Sequence, residues 1–313
     1  MIAFGPIPSR RLGQSLGVNH IPPKHCSYAC TYCQVHCVTT LEHIRRDFLP
    51  TNRVLDAVRS RVAECRRLGQ RIDHVSFVPD GEPTLDAQLG LAVAGARELG
   101  LPVAVITNGS LLWRSDVRRD LASASLVSVK VDAVTETAWR RVNRPHPQLQ
   151  LDRVLAGIED FARDFRGELY TETMLVAGAN DDEANVRGVA DFVRRLDPVR
   201  AYLSVPTRPP FEGDVLPPAT AVLVRAFAIL RERLPDVELL GMEVPGEFGR
   251  TGAAIDDLLG ILVIHPMRER AVQEYLEGAG TSPAELQPLL DAGTVVRVRY
   301  RDEWFLAARV QPS

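Results

Sequence analysis

Three of the chain's five cysteines stand within eight residues, in the stretch "CSYACTYC" at 26–33. A disulfide uses two thiols and a closed zinc site uses four donors, so Cys26, Cys30 and Cys33 fit neither cleanly. Thiolates suit soft iron–sulfur centres. A 4Fe–4S cubane held by three of them would leave one iron open to a small bidentate ligand. The competing reading is a zinc knuckle completed by Cys37, His25 or His36, all close in sequence. Cys37 extends the run as "CQVHC" and is read as a bystander or a substrate-facing thiol. Cys65 falls on the apolar face of a helical pattern and is assigned to the core.

Further polar motifs follow apolar runs. "DGEPTL" at 80–85 offers carbonyl and carboxylate acceptors beside a glycine that permits close backbone approach. "TNG" at 107–109 would serve equally as a turn or a helix cap. In "KVDA" at 130–133, Lys130 and Asp132 alternate with valines and so share one strand face. Together they form either part of a site or a structural ion pair. Glu172 lies inside an apolar strand between Thr171 and Thr173, and "GAND" at 178–181 supplies Asn180. Two arginine groups, "SRRLG" at 9–13 with Arg10 and Arg11, and "RRVNRPH" at 140–146 with Arg144, could meet a phosphate or carboxylate through the planar guanidinium. Surface salt bridges are the ordinary alternative for such side chains.

The elements that must position these residues are legible as alternation. "SLGVNHI" (15–21), "HVSFVP" (74–79), "PVAVITNG" (102–109), "LVSVKVDA" (126–133), "ELYTETMLV" (168–176) and "AYLSVP" (201–206) read as strands buried on both faces. Helical patterns separate them. In "TNRVLDAVRSRVAECRRLG", Val54, Val58, Val62 and Cys65 share a face, Thr51 or Asn52 is the expected cap, and Gly69 ends the helix. Six βα units in a row predict a parallel sheet with right-handed crossovers. Periodicity alone leaves open a doubly wound sheet or a curved partial barrel, and both gather chemistry at the C-terminal strand ends. Polar motifs at five successive strand ends therefore predict one shared cavity. After about residue 250 the rhythm becomes three helices and a hairpin, the outline of a winged helix.

Composition bounds the partners. The 313 residues, 45% hydrophobic and 25% charged with a formal charge of -3, describe a globular chain with no overall pull toward nucleic acid or anionic membrane. No apolar run approaches a membrane span or a signal peptide, and the expected compartment is the cytoplasm. Residues 252–313 carry nine acids against six arginines and no lysine, which argues against a broad nucleic-acid face there; Arg297, Arg299 and Arg301 still form a local basic stripe.

With the aromatic Tyr32 just before the third cysteine, C-x3-C-x2-C resembles the signature of the radical S-adenosylmethionine (SAM) superfamily. "FGPIPSRRLGQSLGVN", "GEPTL", "TNGS", "DA" and "RVNRPH" are similar to a subgroup of iron–sulfur oxidoreductases related to wyosine synthase. The resemblance implies a partial (β/α)6 TIM-like barrel over residues 1–250, followed by a winged-helix-like domain over 251–313. It implies a 4Fe–4S cluster on Cys26, Cys30 and Cys33 and S-adenosyl-L-methionine on the open iron. A low-potential reductant such as flavodoxin or ferredoxin would supply the electron. Reductive cleavage of SAM would give methionine and a 5′-deoxyadenosyl radical that abstracts hydrogen. Gly81, Glu82 and Pro83 match the family's Gly-Gly-Glu-Pro motif, with Asp80 at the first glycine, so Glu82 is expected to accept from the SAM ammonium. Tyr32, Thr107, Asn108, Lys130, Asp132 and Asn180 complete the expected SAM site, Lys130, Asp132 and Glu172 the expected catalytic groups, and Arg10, Arg11 and Arg144 the expected substrate contacts. The substrate is expected to be an RNA base, with a peptide or small metabolite as the alternative. A zinc- or cluster-containing winged-helix binding or sensor module stands as the reading from another class.

Overall fold

Each of the six apolar runs becomes a strand of one sheet. In this computed structural model, residues 1–22, 25–34, 40–210, 215–240, 254–264, 266–300 and 302–308 are described; His36, Cys37 and Arg301 fall outside them. β1 (Ala3–Ser9) and β2 (Gly13–Val18) form an antiparallel hairpin. β3 (His25–Cys26) and β4 (Thr40–Leu41) make a small parallel pair at the cysteine loop. The main sheet continues through β5 (His74–Phe77), β6 (Val103–Thr107), β7 (Leu126–Lys130), β8 (Glu168–Met174), β9 (Arg200–Ser204) and β10 (Val237–Leu240). Its order is β1-β2-β5-β6-β7-β8-β9-β10, parallel from β2 onward.

That order decides between the two architectures left open. A doubly wound sheet reverses its strand order at a switch point. Here each parallel strand joins the edge left by its predecessor, so every crossover turns the same way and the sheet curls into a partial barrel. The helices α1 (Thr51–Arg67), α2 (Leu89–Arg97), α3 (Ser115–Leu121), α4 (Glu136–Val142), α5 (Leu151–Asp164), α6 (Glu183–Leu196) and α7 (Thr220–Arg231) come between successive strands. α1 buries Val54, Val58, Val62 and Cys65, as its spacing predicts. Its cap differs from expectation. Pro50 occupies that position with no side-chain hydrogen bond, and Thr51, the first residue of the helix, gives its hydroxyl to Gln88.

Two strands of the main sheet exceed the sequence expectation. β1 is an edge that alternates poorly, and β10 is only four residues long. They bracket the open side of the barrel, and the Arg10 guanidinium donates to the Leu239 carbonyl (3.1 Å) to link the β1–β2 turn with β10.

The C-terminal part contains α8 (Ala254–Ile264), β11 (Met267–Arg268), α9 (Glu269–Gly278), α10 (Gln287–Asp291) and the hairpin β12 (Val295–Tyr300) with β13 (Glu303–Ala308). β11 adds to the hairpin to make a three-stranded sheet. Phe4 and Ile7 of β1 share a buried cluster with Leu258, Ile261 and Leu306, so this part packs directly on the barrel's edge strand. Arg61 on α1 pins the junction. It donates to the Gly5 carbonyl from Nε (2.7 Å) and lies 3.7 Å from Asp257 on α8, with both side chains almost wholly buried. In the basic stripe Arg297 and Arg299 are exposed, and Arg297 pairs with Glu269. Replacing Arg61 by Ala leaves Asp257 and the Gly5 carbonyl buried without that donor. The expected loss is about 3–5 kcal/mol in urea unfolding.

Candidate active site at the cysteine loop

Backbone hydrogen bonds hold the cysteine loop from one side. The segment leaving α4 accepts from Ala29 N–H at Arg144 O (3.1 Å) and from Thr31 N–H at Val142 O (2.9 Å), and His146 N–H donates to Ser27 O (2.9 Å). Arg144 takes a left-handed backbone, φ 45°, to make this turn, and its side chain is exposed. "RVNRPH" is therefore a brace for the loop. Arg144 does not join Arg10 and Arg11 at the cavity described below. On the other side Glu82 N–H donates to His25 O (3.0 Å), and a Cβ on Gly81 would stand 2.0 Å from that same carbonyl. Only glycine allows this approach.

Two buried carboxylates tie the strand ends to the loop. Glu82 accepts at Oε1 from Thr84 N–H (3.0 Å) and the hydroxyls of Thr84 (2.5 Å) and Thr107 (2.6 Å), and at Oε2 from Asn108 N–H (2.7 Å). Burial pushes its pKa up despite these donors. Asp132 accepts at Oδ2 from the Tyr32 hydroxyl and Asn143 Nδ2 (2.7 Å), and at Oδ1 from Met174 N–H (2.8 Å). Burial likewise raises its pKa. Asn180 is fully engaged inside the protein, donating to Asp132 O and Met174 O (both 2.8 Å) and accepting from Val176 N–H (2.9 Å). It fixes the ends of β7 and β8.

The barrel holds an open cavity of about 450 Å³. Tyr32 and Cys33 line its upper end, Lys130, Glu172 and Ser204 its wall, and Arg10 and Arg11 its far end. The arginines come from the β1–β2 turn, at the N-terminal ends of the parallel strands, and so enter from below instead of from the motif-bearing mouth. Lys130 and Glu172 are register partners on β7 and β8, 3.1 Å apart as an ion pair, and Arg11 reaches the other carboxylate oxygen. Burial alone would raise the Glu172 pKa, but Arg11 and Lys130 overcome it and bring it down to about 2. Burial alone would lower Lys130, and Glu172 and Asp132 turn the net shift upward. The Lys130 ammonium also lies over the Tyr32 ring, 5.2 Å from its centroid. β7 ends at Lys130, so Asp132 lies just beyond the strand and off the expected shared face; Tyr32 touches both, its hydroxyl on Asp132 and its ring beneath Lys130.

Sequence reading missed Asn143 and Ser204. Asn143 is a buried amide just beyond α4 and Ser204 closes β9, where its hydroxyl donates to Glu172 (3.0 Å). Neither has a recognisable spacing. The burial of a polar residue at a strand or helix end was the one available signal.

The pattern of the radical SAM superfamily matches residues 21–192, which span the cysteine loop and the next four strand ends. The chain belongs to the radical SAM superfamily. It is also 39% identical over 312 residues to the UPF0026 protein MJ1312 of Methanocaldococcus jannaschii, covering 99% of this chain and 97% of that one. The dual-specificity RNA methyltransferase RlmN of Sorangium cellulosum is 27% identical over 217 residues, 64% of this chain and 51% of that protein. A structure of TYW1 with a lysine-pyruvate adduct bound superposes with a TM-score of 0.53 at 17% identity, over 70% of this chain and 74% of that one, and shares the fold.

Radical SAM proteins use a 4Fe–4S cluster and SAM, and this loop's donors suit that cluster. Burial pushes the Cys26 thiol well up, with Glu82 adding to it, and pushes Cys30 up to about 12, with Asp132 adding. Thiols in that setting ionise when a cationic iron core supplies the compensating charge. Among the described residues no three His, Cys, Asp or Glu side chains converge on a single ion. A cubane does not require that, since each cysteine takes a different iron. No described helix is long and apolar enough to cross a membrane.

The Glu172 ion pairs set a pH dependence of stability. Its folded pKa lies below the ordinary value, so its contribution is full above the unfolded pKa near 4.5 and is lost as pH falls toward about 2. Glu172→Gln is expected to destabilise the protein by about 3–5 kcal/mol at pH 7. In thermal unfolding followed from pH 7 to pH 2.5, the gap between variant and wild type should hold down to about pH 5 and shrink below it; a gap that stays constant to pH 2.5 would contradict the pairing.

Proposed function

We propose that Cys26, Cys30 and Cys33 hold the 4Fe–4S cluster and that the barrel cavity receives the group from which hydrogen is abstracted. What carries the reading is that Cys33 and Tyr32 line the same cavity as Lys130, Glu172 and Arg11. When bound, the cluster and SAM supply a 5′-deoxyadenosyl radical. The protein's own residues orient and exclude. Gly81 lets the "GEP" loop press against the cysteine loop, and Glu82 locks Thr107 and Asn108 beside it. Asp132 and Lys130 fix Tyr32 at the cavity roof. Glu172 serves as a permanent anion that holds Lys130 and Arg11 in place, not as a proton donor. Among the described residues around the cavity, Arg10, Arg11, Lys130 and Arg208 stand with Asp80 and Glu172, four cations and two carboxylates. That balance favours a substrate carrying a phosphate or carboxylate.

An RNA base is the second reading of the substrate, and the likeness to an RNA methyltransferase favours it. A cavity of about 450 Å³ holds a single extruded nucleotide or a small metabolite. The C-terminal helices and hairpin, residues 251–313, are read as a winged-helix-like unit whose docking on β1 closes the barrel. Among its described residues the exposed arginines are too few for an extended RNA footprint.

Protein prepared without oxygen should be brown and carry about four irons per chain. After reduction it should release 5′-deoxyadenosine slowly without substrate, and Cys30→Ala should abolish the release. A colourless protein with stoichiometric zinc would favour the binding-module reading instead. For the RNA substrate, binding should fall steeply between low and moderate salt and weaken in Arg11→Ala. Salt-insensitive binding would leave the small anionic substrate.

A further inference from the structure

Two side-chain amides touch the sulfurs that are proposed to carry the cluster. Asn108 Nδ2 lies 3.7 Å from Cys26 Sγ and Asn143 Nδ2 lies 3.5 Å from Cys30 Sγ, both within hydrogen-bond reach for sulfur. Each amide is held in one orientation by its other contacts. Asn108 accepts from Ser110 N–H at Oδ1 (2.9 Å) and donates its second hydrogen to Ser27 Oγ (2.9 Å). Its backbone N–H is fixed on Glu82. Asn143 gives its second hydrogen to the Asp132 carboxylate (2.7 Å), a partner that can only accept while it is ionised. A flipped amide would face that carboxylate with an oxygen, so the NH2 group must point toward both the acid and the sulfur. Two residues from different strand–helix units thus present N–H groups to two of the three thiolates.

An electron added to an iron–sulfur cluster spreads negative charge onto the ligand sulfurs. N–H donors stabilise that charge more in the reduced state than in the oxidised one, and they act strongly where water is excluded. We propose that Asn108 and Asn143 are positioning residues that raise the reduction potential of the cluster through hydrogen bonds to Cys26 and Cys30. They bring it within reach of a low-potential one-electron donor. The proposal rests on the assignment of the cluster to Cys26, Cys30 and Cys33. It also explains why Asp132 has so many partners: the carboxylate aims Asn143 at Cys30 while it holds Tyr32 beside Cys33.

The test uses the anaerobic holoprotein and reads the cluster, not turnover. In potentiometric titration with dithionite, followed by electron paramagnetic resonance, Asn108→Ala and Asn143→Leu should each shift the midpoint to a more negative potential. The double variant should shift further, with about four irons retained in each. Asparagine labelled with 15N in otherwise wild-type protein provides a readout independent of variant folding. Pulsed magnetic resonance of the reduced cluster should show hyperfine coupling to amide nitrogen, and exchange into D2O should add deuteron couplings. Unchanged potentials with iron retained, or a reduced wild-type cluster without 15N-asparagine coupling, would overturn the amide proposal and leave the cluster assignment intact. A wild-type protein with no cubane signal would sink the cluster assignment itself, and the amide proposal with it.

Discussion

The Asp132 carboxylate is the point on which the site depends. It is 3% exposed, yet it gathers the Tyr32 hydroxyl from the cysteine loop, the Asn143 amide from beyond α4 and the Met174 backbone from the end of β8. A buried carboxylate is tolerable only when several donors surround it. Here the donors come from three separate elements, so the cost of burying one charge is offset by contacts that fix their mutual positions. Glu82 repeats the device one unit earlier, joining the "GEP" turn to Thr107 and Asn108. The loop that carries the thiols has little regular structure of its own. It inherits its shape from these two acids and from the backbone brace at Val142 and Arg144.

The second constraint is the open side of the barrel. A partial barrel leaves edge strands that need covering. Arg10 reaches across to Leu239, and α8 with the hairpin packs on Phe4 and Ile7. The Tyr300 hydroxyl donates to Pro206 O and Val215 O (both 3.2 Å), on the segment that follows β9 and carries the cavity residues Thr207 and Arg208. The same C-terminal part thus supports the edge strand and the cavity wall, although its composition gives no hint of a role in either.

The buried ion pairs inside the cavity have a structural and an electrostatic side. Lys130 is one of only two lysines in the chain, whereas arginine supplies every other basic position of its 37. At this place a compact ammonium sits between Glu172 and the Tyr32 ring. Its neighbours hold it protonated, so its contribution at neutral pH is a fixed positive charge.

By itself the sequence determined the thiol spacing, the six central strands, the sequential βα rhythm and the polar residues at the strand ends. These are local patterns: spacing along the chain, or apolar periodicity that burial on both faces imposes. It also implied the right relatives through Tyr32 and the "GEP" run. Tertiary structure alone decided the rest. Strand order excluded the doubly wound sheet, since order depends on which edges meet and not on any one strand's sequence. The β1–β2 turn carried Arg10 and Arg11 to the lower end of the cavity, and a left-handed turn made "RVNRPH" a backbone brace. Asn180 became an internal strut, and Asn143 became the neighbour of Cys30. A side chain's partners across 113 positions are set by how the sheet curls, and no spacing rule in one dimension encodes that.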